Sequence, residues 1–252
     1  MLVVLPPSET KTPGGNPATS LALDDLSFPL LNPLREELLT ELQALSRDED
    51  AAAKALGLGP KSRSDLERNV ALWSSPLLPA IERYTGVVYD AVGLESLELP
   101  AKRFLWDHVA IFSALFGLMR ASDPIPAYRL SWDSALPGGK LGPRWREQAA
   151  ALWAGIPDFV IDLRSEGYQQ LAPVPEDSGV YVALTQSGPR GKRAALGHAN
   201  KTVKGRLVRS IVMSQPSISS VSDLSAWGEA NGYQFDLESL QNGRIDLVVS
   251  GS

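Results

Sequence analysis

A run of basic residues between positions 190 and 209 is the first part of this sequence that could do chemistry. It holds seven lysines and arginines and no acidic residue, although the whole chain has a formal net charge of −5. A local cluster of cations on an acidic protein favours a single binding site for an anionic ligand. A solvated helix face beside a loop would carry the same charges, and charge alone does not separate the two. The basic residues are Arg190, Lys192, Arg193, Lys201, Lys204, Arg206 and Arg209.

The segment that starts at His198 has the spacing of a helix. An apolar residue recurs at every fourth position, which would form a stripe along one face: Val203, Leu207 and Ile211. Gly205 stands in the middle of this helix, where glycine costs about 1 kcal/mol relative to alanine. Such a glycine indicates close approach by a ligand or by a neighbouring backbone. We therefore expect part of an anion site here. The alternative is a core-anchored helix whose Gly205 only packs against a neighbour.

A second candidate site is the turn from Gly57 to Arg63, between two predicted helices. Its apolar-Gly-apolar-Gly pattern resembles the hairpin of helix-hairpin-helix DNA-binding motifs, in which Gly57 and Gly59 would let backbone N–H groups point at a phosphate. Lys61 and Arg63 would add positive charge. The alternative is a glycine that ends a helix, followed by a turn that a proline stops.

Two further segments offer polar groups at turns. Two prolines define a loop that presents Arg120, Asp123 and Arg129, although an internal Arg–Asp pair could equally hold this loop. The residues from Pro7 to Lys11 follow a predicted strand, and ligands often bind where strands end in sheet proteins. This stretch is not a P-loop, because it lacks the glycine and lysine spacing of that motif.

Composition excludes or disfavours several other kinds of chemistry. The chain contains no cysteine, which excludes disulfides, thiolate catalysis and cysteine-ligated metals. Its two histidines, His108 and His198, are far apart and belong to no metal-ligand spacing or serine-nucleophile motif. No apolar run is long enough for a membrane span, and the N-terminus lacks the pattern of a signal peptide. We therefore expect a cytoplasmic protein with no metal site and no cofactor.

The elements that must position these groups alternate irregularly along the chain. Because strands and helices are interleaved without a regular strand–helix–strand repeat, we expect an α+β fold. It would be a mixed β-sheet surrounded by helices, in a single domain over residues 1–252. The predicted strands are Leu2–Leu5, Phe159–Leu163, Gly179–Thr185 and Ile245–Val249, with Val109–Leu118 as a strand or a buried hairpin arm and Tyr128–Trp132 as a short extended piece. The predicted helices begin near Asn32, Ala51, Ser64, Ser75 and Trp145.

Six short motifs, spread over nearly the whole chain, occur in an order and spacing shared with one known family. The motifs are Leu5–Thr10; Tyr84–Tyr89; Phe112–Arg120 with Tyr128–Leu130; Val160–Ser165 with Tyr168; Lys201, Lys204 and Gly205 with Arg209; and Gly232–Tyr233 with Phe235. Together they resemble the YaaA peroxide stress protein family.

The resemblance implies a single-domain, cytoplasmic α+β protein that limits free iron in the cell under peroxide stress. It also implies a positively charged cleft, a helix-hairpin-helix-like element and affinity for duplex and distorted DNA. The family's basic motif and its Arg…Tyr-Arg segment together supply seven DNA-binding positions in this sequence. These positions are Lys201, Lys204, Gly205, Arg209, Arg120, Tyr128 and Arg129.

One position departs from the family pattern. Many members have a lysine where Glu9 stands, and here Lys11 follows two residues later. Either Lys11 substitutes for that lysine across a shifted loop, or the cleft has lost one positive charge.

Two functions from different classes remain open at this point. The first, which we favour, is a non-enzymatic protein that binds DNA, with no membrane or obligate protein partner and with an indirect effect on iron. The second is an enzyme that acts on a nucleotide or nucleic acid in the same cleft, with Glu9 and His198 as candidate acid and base. Iron sequestration by carboxylates is a third reading, which the sequence supports poorly because its acidic residues show no metal-ligand spacing.

Overall fold

The strand at the N-terminus is the centre of the fold. In the computed structural model, which describes residues 1–59, 65–187, 193–195 and 199–249, strand β1 (Leu2–Leu5) consists of four apolar residues that are all fully buried. A strand with no polar face is expected where a sheet is covered on both sides. The predicted strand at this position is confirmed.

Ten helices and twelve strands lie within the described ranges. The helices are α1 (Asn32–Leu45), α2 (Glu49–Ala55), α3 (Asp65–Val70), α4 (Ala80–Arg83), α5 (Val87–Val92), α6 (Leu99–His108), α7 (Leu141–Ala154), α8 (Glu166–Gln169), α9 (Ala199–Ser214) and α10 (Val221–Ala230). The other strands are β2 (Leu78–Pro79), β3 (Val109–Ser113), β4 (Gly117–Arg120), β5 (Pro124–Ile125), β6 (Ala135–Leu136), β7 (Gly139–Lys140), β8 (Val160–Asp162), β9 (Gly179–Ser187), β10 (Arg193–Ala195), β11 (Gln234–Gln241) and β12 (Arg244–Val249).

The main sheet is mixed, as predicted. Its strands follow the order β11-β12-β9-β8-β1-β3-β4, and β10 pairs with β9 outside this path. Strands β12, β9, β8, β1 and β3 are parallel to one another, whereas β4, β10 and β11 are antiparallel to their neighbours. The register places Val3 of β1 beside both Val109 of β3 and Ile161 of β8. The carboxyl ends of the five parallel strands therefore lie at one edge of the sheet, where ligands bind in many sheet proteins.

Some predicted elements have different bounds in the structure. The segment from Ser75 to Val92, where a helical stretch was expected, contains β2, α4 and α5, and Gly86, with φ of 102°, lies between the two helices. The strand expected over Val109–Leu118 is β3 plus the start of β4, joined by a tight turn. The extended piece expected at Tyr128–Trp132 forms no regular strand.

Helices α6 and α10 and strand β11 were not predicted, whereas β12 was predicted as Ile245–Val249. The hairpin turn is Asn242-Gly243, whose φ angles of 50° and 66° are those of a type I′ turn. Within the described ranges, no helix is both long enough and apolar enough to cross a membrane.

Candidate functional site

A cleft of about 900 Å³ lies at the edge of the sheet where the parallel strands end. Its walls are the loop after β1 (Pro6–Thr10), the turn into α5 (Thr85–Tyr89), the residues after β8 and the beginning of α9. We call it the carboxyl-edge cleft. Five charged side chains line it, three of them cationic and two anionic: Lys201, Lys204, Arg244, Glu9 and Glu166. Because the cationic and anionic side chains are nearly equal in number, the strongly positive cleft that the resemblance implies remains a prediction.

A buried ion pair forms the support beneath the cleft. Arg164 and Asp162 are both fully buried, and the guanidinium donates two hydrogen bonds to the carboxylate, at 2.8 and 2.7 Å. It also donates to the backbone oxygens of Tyr168 and Ala172. A buried charge is stable only when such partners surround it. The pair is therefore structural, and it fixes the backbone that leaves β8 for the cleft.

The carbonyl oxygen of Arg164 holds the side chain of Lys204. The Lys204 ammonium donates to this oxygen at 2.9 Å and lies 5.9 Å from the ring centroid of Tyr181. Only 4% of Lys204 is exposed. Burial lowers its pKa to about 8, although the negative charge of Asp162 acts in the opposite direction. Lys201, one helical turn earlier on α9, lines the same cleft and is exposed to solvent.

Gly205 is packed against a neighbouring helix. A Cβ at this position would collide with the carbonyl oxygen of Val88 and lie 2.6 Å from the Cβ of Ala91. Both residues belong to α5, so the close approach predicted at Gly205 is made by a backbone, and the packing alternative is the one observed. The contact packs α9 against α5 and so positions Lys201 and Lys204 in the lining of the cleft.

Lys11 lies behind the first loop instead of in the cleft. Its ammonium donates to the carbonyl oxygens of Ser8 and Glu9, at 2.9 and 3.3 Å. It also lies 4.3 Å from the ring centroid of Tyr128 and 5.3 Å from that of Tyr84. The side chain is buried, and burial, with a smaller contribution from the charge of Arg129, lowers its pKa to about 7. Lys11 therefore fastens the loop to the aromatic core.

Tyr128 belongs to the same buried cluster. Its hydroxyl lies 2.6 Å from the hydroxyl of Tyr84, and its ring packs edge-on against Phe116. Burial raises the pKa of Tyr128 to about 12. Only 2% of the residue is exposed, so it supports Lys11 and does not line the cleft.

The next residue, Arg129, reaches the rim of the cleft. Its guanidinium donates to the carboxylate of Glu9 at 2.9 Å, and the Glu9 side chain is largely exposed. Both polar side-chain atoms of Asn69, on α3, hydrogen-bond to the backbone of Arg129 at 2.7 and 2.9 Å. The rim of the cleft therefore contains an exposed ion pair, and hydrogen bonds from α3 position the backbone of its arginine.

Arg120 and Arg209 are not brought to the cleft. Arg120 ends β4, which runs antiparallel to β3, so it lies at the opposite edge of the sheet and donates to the carbonyl oxygen of Asp107. Arg209 donates to the carbonyl oxygens of Val92 and Gly93 at 2.8 and 3.1 Å. It satisfies carbonyl groups at the end of α5, as basic side chains do at helix C-termini. The expectation that both arginines line the cleft with Lys201 is not met.

Comparison with known proteins identifies the family. The profile of the family described as peroxide stress protein YaaA matches residues 1–239. The chain belongs to the YaaA peroxide stress protein family. It is 39% identical to a UPF0246 protein of Corynebacterium efficiens and 41% identical to one of Corynebacterium glutamicum, each over 99% of this chain and 100% of the relative. A UPF0246 protein of Streptomyces coelicolor is 36% identical over 99% of this chain and 98% of its own length.

The departure from the YaaA pattern at position 9 can now be interpreted. Lys11 is occupied with loop carbonyls behind the cleft, so it does not present a charge where the family lysine is expected. Glu9 lines the cleft and pairs with Arg129. Lys11 therefore does not take the place of a cleft lysine in this structure, and the first loop presents the acidic side chain of Glu9 to the cleft.

The turn for which a helix-hairpin-helix-like hairpin is predicted is described only at its start. Gly57 follows the end of α2 and has φ of 63°. Its N–H donates to the carbonyl oxygen of Lys54 at 3.4 Å, and the N–H of Leu58 donates to the carbonyl oxygen of Ala53 at 2.8 Å. This pattern is a Schellman C-cap, the alternative proposed for this glycine. A Cβ on Gly59 would meet no atom within 4 Å.

Five candidate residues lie outside the described ranges: Lys61, Arg63, Arg190, Lys192 and His198. The helix-hairpin-helix-like element therefore remains a prediction. So does the pairing of His198 with Glu9 as acid and base.

Three residues that line the cleft were missed from sequence: Glu166, Tyr181 and Arg244. Arg244 directly follows the Asn242-Gly243 turn, and this turn signal could have placed a strand start there. Asn200, at the start of α9, also lines the cleft. Its Oδ1 is buried and has no hydrogen-bond partner among the described residues.

Proposed function

We propose that this YaaA-family protein binds DNA in the carboxyl-edge cleft as part of the peroxide stress response. The observation that carries the proposal is the position of Lys201. It is exposed on the first turn of α9, lines the cleft, and has no ion-pair partner among the described residues. An ammonium that is neither buried nor paired can meet a phosphate without first breaking another contact.

The other groups in the cleft suit a nucleic-acid backbone. Glu9 is paired with Arg129, and the exposed cations that remain in the cleft are Lys201 and Arg244, the latter 3.4 Å from the carboxylate of Asp246. Side-chain hydroxyls, which commonly contact phosphate oxygens and sugars, come from four of the surrounding segments: Ser8, Thr10, Thr85, Ser131 and Ser165. The rings of Trp132 and Tyr181 offer surfaces on which an unpaired base could stack, which favours distorted over regular duplex DNA.

Binding should be tested with labelled duplex and bubble DNA at two salt concentrations. Because phosphate contacts release counterions, affinity should fall steeply as salt rises. Lys201→Ala should weaken binding to all sequences alike and reduce the salt slope by about 1. The matched control is Lys140→Ala, which removes an exposed lysine outside the cleft and should bind as wild type. Absence of binding at low salt, or binding insensitive to salt, would contradict the proposal.

The effect on free iron, which the family resemblance implies, is proposed to follow from the action on DNA. The described residues include no group of three or more histidines or carboxylates able to hold a metal ion. If iron is lowered through DNA, cells that contain only Lys201→Ala should have as much free iron under peroxide as cells without the protein. Stoichiometric binding of Fe²⁺ in calorimetry would instead support direct sequestration.

A further inference from the structure

Lys204 is an unusual group to find at the base of a binding cleft. It lines the carboxyl-edge cleft, yet 4% of it is exposed and its one hydrogen bond is to a backbone oxygen. The nearby carboxylate of Asp162 already accepts two hydrogen bonds from Arg164. Among the described residues, no carboxylate is paired with the Lys204 ammonium. A backbone oxygen and an aromatic ring position this side chain without compensating its charge.

Such surroundings favour the neutral amine. A charged ammonium is disfavoured where water is excluded, and here burial lowers the pKa of Lys204 to about 8. A lysine that is partly neutral at physiological pH is a nucleophile, and its characteristic reaction is condensation with a carbonyl group. The hydrogen bond to Arg164 fixes the nitrogen beside the open cleft.

We propose that Lys204 forms a Schiff base with an aldehyde carried on DNA, the ring-opened sugar that remains where a base has been lost. The proposal rests on DNA binding in this cleft. The Nζ atom attacks the aldehyde carbon, a carbon–nitrogen double bond forms, and the carbonyl oxygen leaves with the two amine protons as water. Hydrolysis reverses the step, so no oxidant or reductant is required.

The cleft favours a sugar aldehyde over a free carbonyl compound. Lys201 and Arg244 line the same cleft as Lys204, and their charges would attract the phosphates that flank a damaged sugar. A position without a base exposes its C1′ carbon, which an intact nucleotide keeps in a glycosidic bond. A protein of the peroxide stress family would meet such sugars, because oxidation of DNA releases bases.

The test is covalent capture by reduction. Full-length protein is incubated with a duplex that contains one abasic deoxyribose, then treated with sodium borohydride, which converts an imine to a stable amine. We expect a covalent protein–DNA complex whose cross-link maps to Lys204 by mass spectrometry. Lys204→Arg keeps the charge but cannot form an imine, so the yield should fall at least about tenfold. Lys140→Arg, outside the cleft, should react as wild type.

Two further measurements make the outcomes distinguishable. Lys204→Met serves as a second variant, and thermal unfolding of each variant shows that it is folded. DNA binding without borohydride is measured in parallel. If wild-type protein binds DNA but is not captured, or if the cross-link maps to Lys201, the Schiff-base proposal is wrong and the binding proposal stands. If 2-deoxyribose 5-phosphate is captured on Lys204 while DNA is not bound, the reactive lysine stands and DNA binding fails.

Discussion

Two buried lysines among the described residues, Lys11 and Lys204, have similar surroundings but differ in their access to the carboxyl-edge cleft. Each ammonium donates to backbone oxygens, lies near tyrosine rings and has its pKa lowered by burial. Lys11, however, is enclosed behind the loop after β1, whereas Lys204 lines the carboxyl-edge cleft. Burial alone therefore does not distinguish a structural lysine from a reactive one. Access to the cleft makes that distinction.

The comparison also separates the supports of the two lysines. Lys11 rests on Tyr84 and Tyr128, a neutral aromatic cluster. Lys204 rests on the backbone of Arg164, whose side chain is in a buried ion pair.

The largest effect is expected at the support of Lys204. Arg164→Met would leave the buried carboxylate of Asp162 without its partner, which should lower the free energy of unfolding by about 3–5 kcal/mol. Arg129→Met removes an arginine from the exposed pair with Glu9 and should cost less than about 1 kcal/mol. Urea unfolding of both variants checks this. Equal losses would mean that the pair beneath the cleft is not the stronger support.

The next effect is expected at Gly205, beside Lys204 on α9. Gly205→Ala would force the new methyl group into the backbone of α5, so we expect a loss of about 1–3 kcal/mol in the free energy of unfolding. DNA binding should weaken as well, because α9 carries Lys201. The control is Gly155→Ala, where a Cβ would make only ordinary contacts and φ is −82°. If Gly205→Ala is as stable as wild type, the tight packing of α9 on α5 is not real.

Stability should depend on pH through both lysines. Each is neutral in the folded protein at a pH where the unfolded chain still binds the proton, so the unfolded state binds more protons in that window. Stability of the wild type relative to Lys11→Met should therefore rise from about pH 7 towards 10.5, and relative to Lys204→Met from about pH 8. Chemical unfolding across this range measures the difference. A difference that stays flat with pH would show that the ammonium groups are not desolvated.

The smallest effect on stability is expected at the rim. Glu9→Lys places at the rim the lysine that the family resemblance implies and breaks only an exposed ion pair, so the free energy of unfolding should change by less than about 1 kcal/mol. DNA binding should nevertheless strengthen, and the salt slope should increase by about 1. Glu9→Gln, which removes the negative charge without adding a positive one, should fall between the two. Unchanged binding by Glu9→Lys would place the phosphates away from the first loop.

Much of the fold could be predicted from local patterns. The buried run Leu2–Leu5 and the helix that begins at Asn32 are as expected, because each is specified by neighbouring residues. The β11–β12 hairpin was foreseen only in its last strand, although Asn242-Gly243 is a strong turn signal. The misplaced part is the grouping of Arg120 with Lys201. Its edge of the sheet depends on the antiparallel pairing of β3 with β4, which no local pattern reveals.

In the candidate site, too, local features could be predicted and features that depend on tertiary contacts could not. Helical spacing correctly placed Lys201 on α9, whereas Gly205, where part of an anion site was expected, packs against α5, as the alternative reading had it. Whether a given cation is free could not be predicted. Arg164 is taken up by Asp162 and by carbonyl groups that follow it, and Lys11 by the carbonyl groups of its own loop. Arg209 is taken up by carbonyl groups at the end of α5, which are distant in sequence. Counting basic residues overestimates the charge available to a ligand for this reason.

The most direct test of the cleft as the DNA-binding surface compares Lys201→Ala with Arg120→Ala. Both variants remove one cation that the family resemblance assigns to DNA, but the structure places them at opposite edges of the sheet. Affinity for bubble DNA should be measured as a function of salt. We predict weaker binding and a salt slope reduced by about 1 for Lys201→Ala, with wild-type values for Arg120→Ala. Equal losses in the two variants, or a loss only in Arg120→Ala, would contradict binding in this cleft.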